Sequence, residues 1–278
     1  MSTGDMEKSF TTSLAALEPA AWQYDLVSPP KPKPSSLEIQ RLHADFYGAI
    51  AQGFDEFNAK STRGLYFDTV NIEVARHLSA RKSVASLLSI AAGTGRREES
   101  IRRLSNLDFQ VTCVDTSKEM CTFAAKRGFE VICAGLPELS LRPDSFDACI
   151  FLNGFEVLSS HGDRLRYLQK IYGSLKKGGL FFVDVMDIDD KNDSWASLVK
   201  KQFESEDLQN YGYDLGDCFC RRTDQESIVF AHYSSQNEME KLFAASQFEV
   251  KETGYFSEET GARCAAHEGN MFFVAEKV

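Results

Sequence analysis

Gly93 and Gly95 stand in a turn of small residues, Ala91-Ala92-Gly93-Thr94-Gly95, directly after an apolar run that ends at Ile90. Asp115 closes the next apolar run. Residues without a side chain let backbone approach a ligand closely, and a helix that starts after such a turn offers its free N–H groups to an anion. A carboxylate at the carboxyl end of the second strand can accept hydrogen bonds from both hydroxyls of a ribose. This chemistry suits a nucleoside-containing ligand, of which dinucleotides and S-adenosylmethionine are the two classes to weigh. Glu98 stands where a dinucleotide turn wants a third small residue beside a pyrophosphate. A methionine zwitterion tolerates an acid one turn into the helix, so the residues favour S-adenosylmethionine. The bland alternative for Asp115 is a capping acid before Ser117.

The elements that must position these residues alternate. Strands are expected at 84–90, 109–114, 129–133, 146–152 and 180–185, with helices at 97–104, 117–126 and 163–176. That is the pattern of a parallel sheet covered on both faces. Ser117 or Thr116 can cap the second of these helices, Gly128 can stop it, and Gly178-Gly179 should end the third. Residues 187–232 break the alternation, with a strand or strand pair expected around 218–232. A helix at 236–246 and strands at 248–255 and 270–276 follow. The last two strands lack a long crossover, which implies an antiparallel hairpin at the sheet edge.

Four stretches, in order, resemble the motifs of the class I S-adenosylmethionine-dependent methyltransferases. Ile90-Ala91-Ala92-Gly93-Thr94-Gly95-Arg96 looks like their first motif, and Val114-Asp115-Thr116-Ser117-Lys118-Glu119-Met120 like their second. Arg142-Pro143-Asp144-Ser145-Phe146-Asp147 resembles the turn into strand four, and Leu175-Lys176-Lys177-Gly178-Gly179 the helix end before strand five. The resemblance spans most of residues 65–278. It implies an α/β, Rossmann-like, doubly wound seven-stranded sheet, parallel apart from an antiparallel C-terminal hairpin strand. N-terminal helices and an insertion after strand five would form a lid. Three departures stand out: Ser89 replaces the usual acid of the first motif, Ala91 its first glycine, and Gly135 an acid often found near the adenine.

Ligands of open α/β sheets lie outside the carboxyl ends of the strands. Cofactor contacts are therefore expected from Ala91, Gly93, Gly95, Asp115, Thr116, Met120, Gly135, Leu136 and Asn153. Met120 would flank the adenine or be plain core, and Leu136 would present backbone to the adenine edge. Asn153 would sit near the methyl group or bond its own loop. Tyr47 would close over the cofactor, or be a core residue one helical heptad before Phe54. Methyl transfer needs the nucleophile, methyl and sulfur held in line without water, and a base only where the nucleophile keeps its proton. Candidates near the reaction are His161, His232 and Asn153, with Glu156 no better placed. Asp187, Asp189 and Asp190 could hold a metal, but an acidic run beyond a strand is usually a solvated loop, so no metal is expected.

Composition bounds the rest. A net charge of −10 and pI near 5.1 argue against a nucleic-acid substrate. No apolar run reaches membrane-spanning length, and the polar start is no secretory signal. Seven cysteines without paired metal spacing suggest a reducing, cytoplasmic setting. Residues 1–36 read as an arm, with a weak helix at 14–17, packing residues such as Trp22 and Tyr24, and a spacer holding four of the seven prolines. Residues 37–278 read as the methyltransferase domain, with 37–80 a helical lid and 187–232 a substrate-side insertion. The function expected is methyl transfer from S-adenosylmethionine to oxygen or nitrogen of a small molecule. The alternatives are a tRNA or protein methyltransferase, or a non-catalytic cofactor-binding subunit that recruits a partner through its arm.

Overall fold

The computed structural model describes residues 24–60, 63–81, 83–222 and 227–278. The expected helix at 14–17 and the packing of Trp22 lie outside these residues.

A seven-stranded sheet forms the centre, in the order β4 (Glu130–Cys133), β3 (Gln110–Asp115), β2 (Ser86–Ile90), β5 (Phe146–Phe151), β6 (Leu175–Val185), β10 (Asn270–Lys277), β9 (Phe248–Phe256). The first five are mutually parallel. β10 inserts antiparallel between β6 and β9. The expected terminal hairpin is present, with its earlier strand on the edge. Successive side chains of a strand point to opposite faces. Accordingly Leu88 and Phe181 belong to one apolar core, and Leu87 and Phe182 to the other.

Helix α1 (Ser36–Ile50) starts at Ser35, which with Glu38 forms a reciprocal capping box. Such a cap stabilises a helix start by about 1 kcal/mol. Helices α2 (Phe54–Lys60) and α3 (Arg63–Ser79) follow. Among the sheet's helices, α4 (Arg96–Ser105) and α5 (Lys118–Lys126) follow β2 and β3, with Ser117 capping α5 through the Met120 N–H. α6 (His161–Ser174) ends earlier than the glycine pair suggests. Leu175 is already extended and pairs with Phe146, because burying its side chain in the sheet outweighs one more helical residue.

The segment after β6 contains α7 (Ser194–Ser205), β7 (Asp217–Arg222) and β8 (Ile228–His232), followed by α8 (Gln236–Ala245). β7 and β8 join β1 (Tyr24–Val27) in a separate three-stranded antiparallel sheet. The arm expected at 1–36 therefore contributes a strand, whose Leu26 and Val27 pack into the small cores beneath this sheet.

Candidate active site

The turn after β2 is shaped by positive backbone φ at Ala91 (53°), Gly93 (56°) and Gly95 (81°). At Gly95, the N-cap of α4, a Cβ would come within 2.9 Å of the Phe129 ring. At Gly93 a Cβ would meet only Phe54, at 3.8 Å, so this backbone faces open space. Asp115 ends β3 beside it. Its carboxylate accepts the Gly93 N–H at 2.8 Å and the Ser117 N–H at 2.9 Å. Burial pushes this carboxyl above its usual range, and the N–H groups of Ser117, Gly93 and Thr116 hold it back. The carboxylate is fixed in orientation while one side stays half-buried at the cleft wall.

A cleft of about 180 Å³ opens over this edge. Its floor includes Ala91, Gly93, Asp115, Thr116, Met120 and Asn153, and its roof Tyr24, His43, Tyr47 and Phe54. A second cavity of about 580 Å³, between α1 and the start of α6, shares His43, Thr116, Val157, Leu158 and Tyr167 with it. Tyr47 makes an edge contact with Phe54 at 6.1 Å and stacks with His43. The edge therefore assembles most of the residues expected from the sequence.

Others stand elsewhere. Leu136 lines the second cavity, but its N–H, expected to face an adenine, donates to the Tyr167 hydroxyl at 3.2 Å. Gly135 is covered by the Gln40 side chain. His161 is exposed at the start of α6 and lines neither cavity. His232 is buried away from both. Its Nδ1 lies 2.7 Å from Asp217 and its Nε2 3.0 Å from Glu238. With both nitrogens engaged, His232 locks β8 to β7 and α8, and its placement does not fit a base. Residues 187–232, expected to shape the substrate pocket, line neither cavity; Val229 packs instead on Phe46 and Met120, behind the roof.

The structure adds residues that the motifs did not reveal. Asn153 adopts φ 51°, and its N–H donates to Asp184 at 2.6 Å. Its Oδ1 accepts from Arg97 at 3.0 Å, and Arg97 also donates to Asn71 at 3.1 Å while lying over the Phe67 ring. Asp184 is fully buried and accepts the Tyr66 hydroxyl at 2.9 Å. Burial raises its pKa, and the Arg97 charge opposes the shift. The chain Tyr66–Asp184–Asn153–Arg97 thus orients Asn153 and leaves its NH₂ end for a ligand.

His43 is 5% exposed, and neither ring nitrogen has a hydrogen-bond partner of good geometry. Burial pushes its pKa down to about 4, and the nearby Phe230 carbonyl only partly opposes this. At neutral pH it is an uncharged imidazole in the cleft wall. Its helical spacing from the buried Ile39 and Phe46 puts it on the core face of α1, where a polar residue leaves no signal in the sequence.

Asp187, Asp189 and His267 cluster beyond β6, with potential ligand atoms within 4.8 Å of one another. Asp187 is held by His267 at 2.7 Å and Asp189 by Lys200 at 2.6 Å, outside both cavities.

The residues present fit an S-adenosylmethionine ligand. Asp115 offers a fixed acceptor for ribose, Gly93 an open backbone cradle for the chain beyond it, and Met120 and Thr116 an apolar and polar floor for the base.

Comparison with known proteins agrees. Residues 88–183 match the family described as methyltransferase domain. No curated protein matches the sequence. Among solved structures, a S-adenosylmethionine-dependent methyltransferase of Methanosarcina mazei is 16% identical, with a TM-score of 0.59 over 73% of this chain and 96% of its own. The 1,6-didemethyltoxoflavin-N1-methyltransferase of Burkholderia thailandensis, bound to 1,6-didemethyltoxoflavin and S-adenosylhomocysteine, is 16% identical, with a TM-score of 0.58 over 91% and 95%. The Haloferax volcanii putative methyltransferase complexed with the Trm112 activator is 17% identical, with a TM-score of 0.53 over 83% and 96%. Residues 88–183 are thus a methyltransferase domain, set in a seven-stranded sheet of the fold that these S-adenosylmethionine-dependent methyltransferases share.

Proposed function

We propose that the enzyme methylates an oxygen or nitrogen of a small-molecule acceptor. The observation that carries this reading is the roof: Tyr24, His43, Tyr47 and Phe54 close over the strand edge and leave a cleft of about 180 Å³, joined along one wall to the larger cavity. A strand edge roofed in this way, which the cofactor itself must enter, suits a compact acceptor better than a loop of RNA or protein. The net charge of −10 points the same way.

When bound, S-adenosylmethionine supplies an already activated methyl group. The protein's own residues then orient and exclude water. Asp115 holds the ribose, the Asn153 amide fixes a polar group of the acceptor or cofactor, and the aromatic roof keeps solvent out. His43, neutral at working pH, can accept or donate one hydrogen bond to an acceptor without requiring charge on it. The acids beyond β6 are paired within the protein and outside the cleft, so transfer is proposed to need no metal.

The test is incubation with radiolabelled S-adenosylmethionine and separate pools of small phenols, amines and heterocycles, RNA, and denatured protein. Label entering a small-molecule pool, with and without chelator, supports the reading. Label entering only RNA or protein overturns it.

A further inference from the structure

The wall near Gly135 holds a polar group that no motif predicts. Gln40, on α1, lies over Gly135 so closely that a Cβ there would come within 2.5 Å of its Oε1 and 2.6 Å of its Nε2. Its amide therefore fills the space into which a side chain at position 135 would project. Gln40 also lines the larger cavity, together with Thr116 and Leu136. Among the described residues, neither end of the Gln40 amide has a hydrogen-bond partner. Two backbone groups of the loop beneath it are engaged: the Leu136 N–H by Tyr167, and the Gly135 carbonyl by the Leu139 N–H at 2.9 Å.

The position of Gln40 is set at both ends of its helix. Ser36 donates to the Asp163 carboxylate at the start, and Gly48 backs onto Glu119, where a Cβ would come within 2.7 Å of Oε2.

We propose that Gln40 reads the base of the cofactor, its Oε1 accepting from the 6-amino group of adenine and its Nε2 donating to a neighbouring ring nitrogen. A carboxamide presents one donor and one acceptor side by side, which matches adenine in this way. The inference rests on the ribose lying at Asp115. From there the base must extend along the carboxyl edges of β3 and β4, over Thr116 and towards Leu136. The lid helix thereby supplies from above the recognition that a side chain at position 135 would otherwise supply from below. Base recognition and closure of the roof become one event.

Titration calorimetry tests this, with S-adenosylhomocysteine and its analogue whose base is unsubstituted purine. Wild type is expected to prefer the 6-amino ligand by roughly 5–10-fold, the worth of about one hydrogen bond. Gln40→Leu should weaken S-adenosylhomocysteine binding about 10-fold and erase the preference between the two ligands. Gln40→Glu is close to isosteric and keeps the acceptor. It should retain the preference for the 6-amino group, and it separates lost recognition from lost folding. Asp115→Ala should weaken both ligands alike. Wild-type affinity and preference in Gln40→Leu, with Asp115→Ala still impaired, would overturn the role of Gln40 and leave the ribose assignment standing. Failure of the wild type to bind, or an Asp115→Ala protein that binds normally, would remove the assignment beneath it and the proposal together.

Discussion

Ala91 and Gly154 are mutually dependent. A Cβ on Gly154 would come within 2.5 Å of the Ala91 Cβ, closer than two carbons can approach. Ala91 itself holds φ 53°, a left-handed conformation that costs a residue with a Cβ about 1–2 kcal/mol. A methyl group thus stands where the first motif of the resembled family carries glycine, and the bare backbone of Gly154, just beyond the neighbouring strand β5, makes room for it.

Gly154→Ala should accordingly destabilise the protein by roughly 1–3 kcal/mol through overpacking. Ala91→Gly should be stabilising by up to about 1 kcal/mol, the relieved strain being partly offset by the freedom glycine gains when unfolded. In the double variant Ala91→Gly should recover part of the loss, the remainder being the Phe151 ring, which would still stand 2.9 Å from a Cβ at 154. Urea denaturation of the four proteins measures the coupling, and additive effects would mean that the two sites are independent.

Asp115→Ala should lower S-adenosylhomocysteine affinity by roughly 10–100-fold, since a charged acceptor shared by two hydroxyls is worth about 1.5–3 kcal/mol. Calorimetry on the folded variant is the measurement, and unchanged affinity would sink the ribose contact.

The roof should order on binding. Lids come from the less stable parts of a fold; here Tyr47 meets Phe46 and Phe54 within the roof, and Asp55 of α2 ties the roof to the strand edge through Thr94 and Arg127. Amides of 37–60 are expected to exchange more slowly with S-adenosylhomocysteine than without it, and Tyr47→Ala should weaken binding several-fold. Equal exchange in both states would make these helices ordinary core.

Stability should depend on pH through the buried group around His232. Asp217 and Glu238 flank the imidazole, with Lys33 at 2.5 Å from Asp217 and Arg164 at 2.9 Å from Glu238. Burial disfavours the imidazolium and Arg164 adds to this, but the hydrogen bonds it donates to Asp217 and Glu238 outweigh both and raise the His232 pKa. The same contacts, with Lys33 and Arg164, lower the two carboxyls against their burial. The histidine contribution is complete below its unfolded value near 6.5 and is lost as pH rises through the raised folded value. The carboxylate contributions are complete above about 4.5 and are lost as pH falls through the lowered values. This cluster should therefore favour folding most between about pH 4.5 and 6.5. His232→Phe should cost roughly 1–3 kcal/mol, because it takes a hydrogen-bond partner from the buried Asp217 and the half-buried Glu238, which keep Lys33 and Arg164. It should also flatten the alkaline side of the profile. Melting temperatures from pH 5 to 9 give the comparison, and an unchanged alkaline limb would contradict it.

Removing residues 1–27 should damage the roof. The deletion takes β1 from β7, where Leu26 pairs with Cys220, and takes Tyr24 from the cleft wall. A lower melting temperature and weaker cofactor binding are expected, and wild-type behaviour in both would show that β1 is dispensable.

The sequence alone determined the sheet and which residues gather at its carboxyl edge. Strand periodicity, the glycine turn and Asp115 are local signals, each complete within a few residues, and their order along the chain carries the topology. The same local reading misplaced His232, because a histidine before a helix start looks identical whether it faces a cleft or, as here, two carboxylates that bind both its nitrogens. It also left Gln40, His43, Arg97 and Asp184 unremarked, each a polar residue in an otherwise ordinary helix or strand. Their roles arise from what stands opposite: Gln40 over Gly135, Arg97 on Asn153, Asp184 beneath Tyr66. These partners lie far apart in the chain and meet only when helices close over the strand edge. Burial then decides which polar groups are satisfied inside the protein and which are left to meet a ligand.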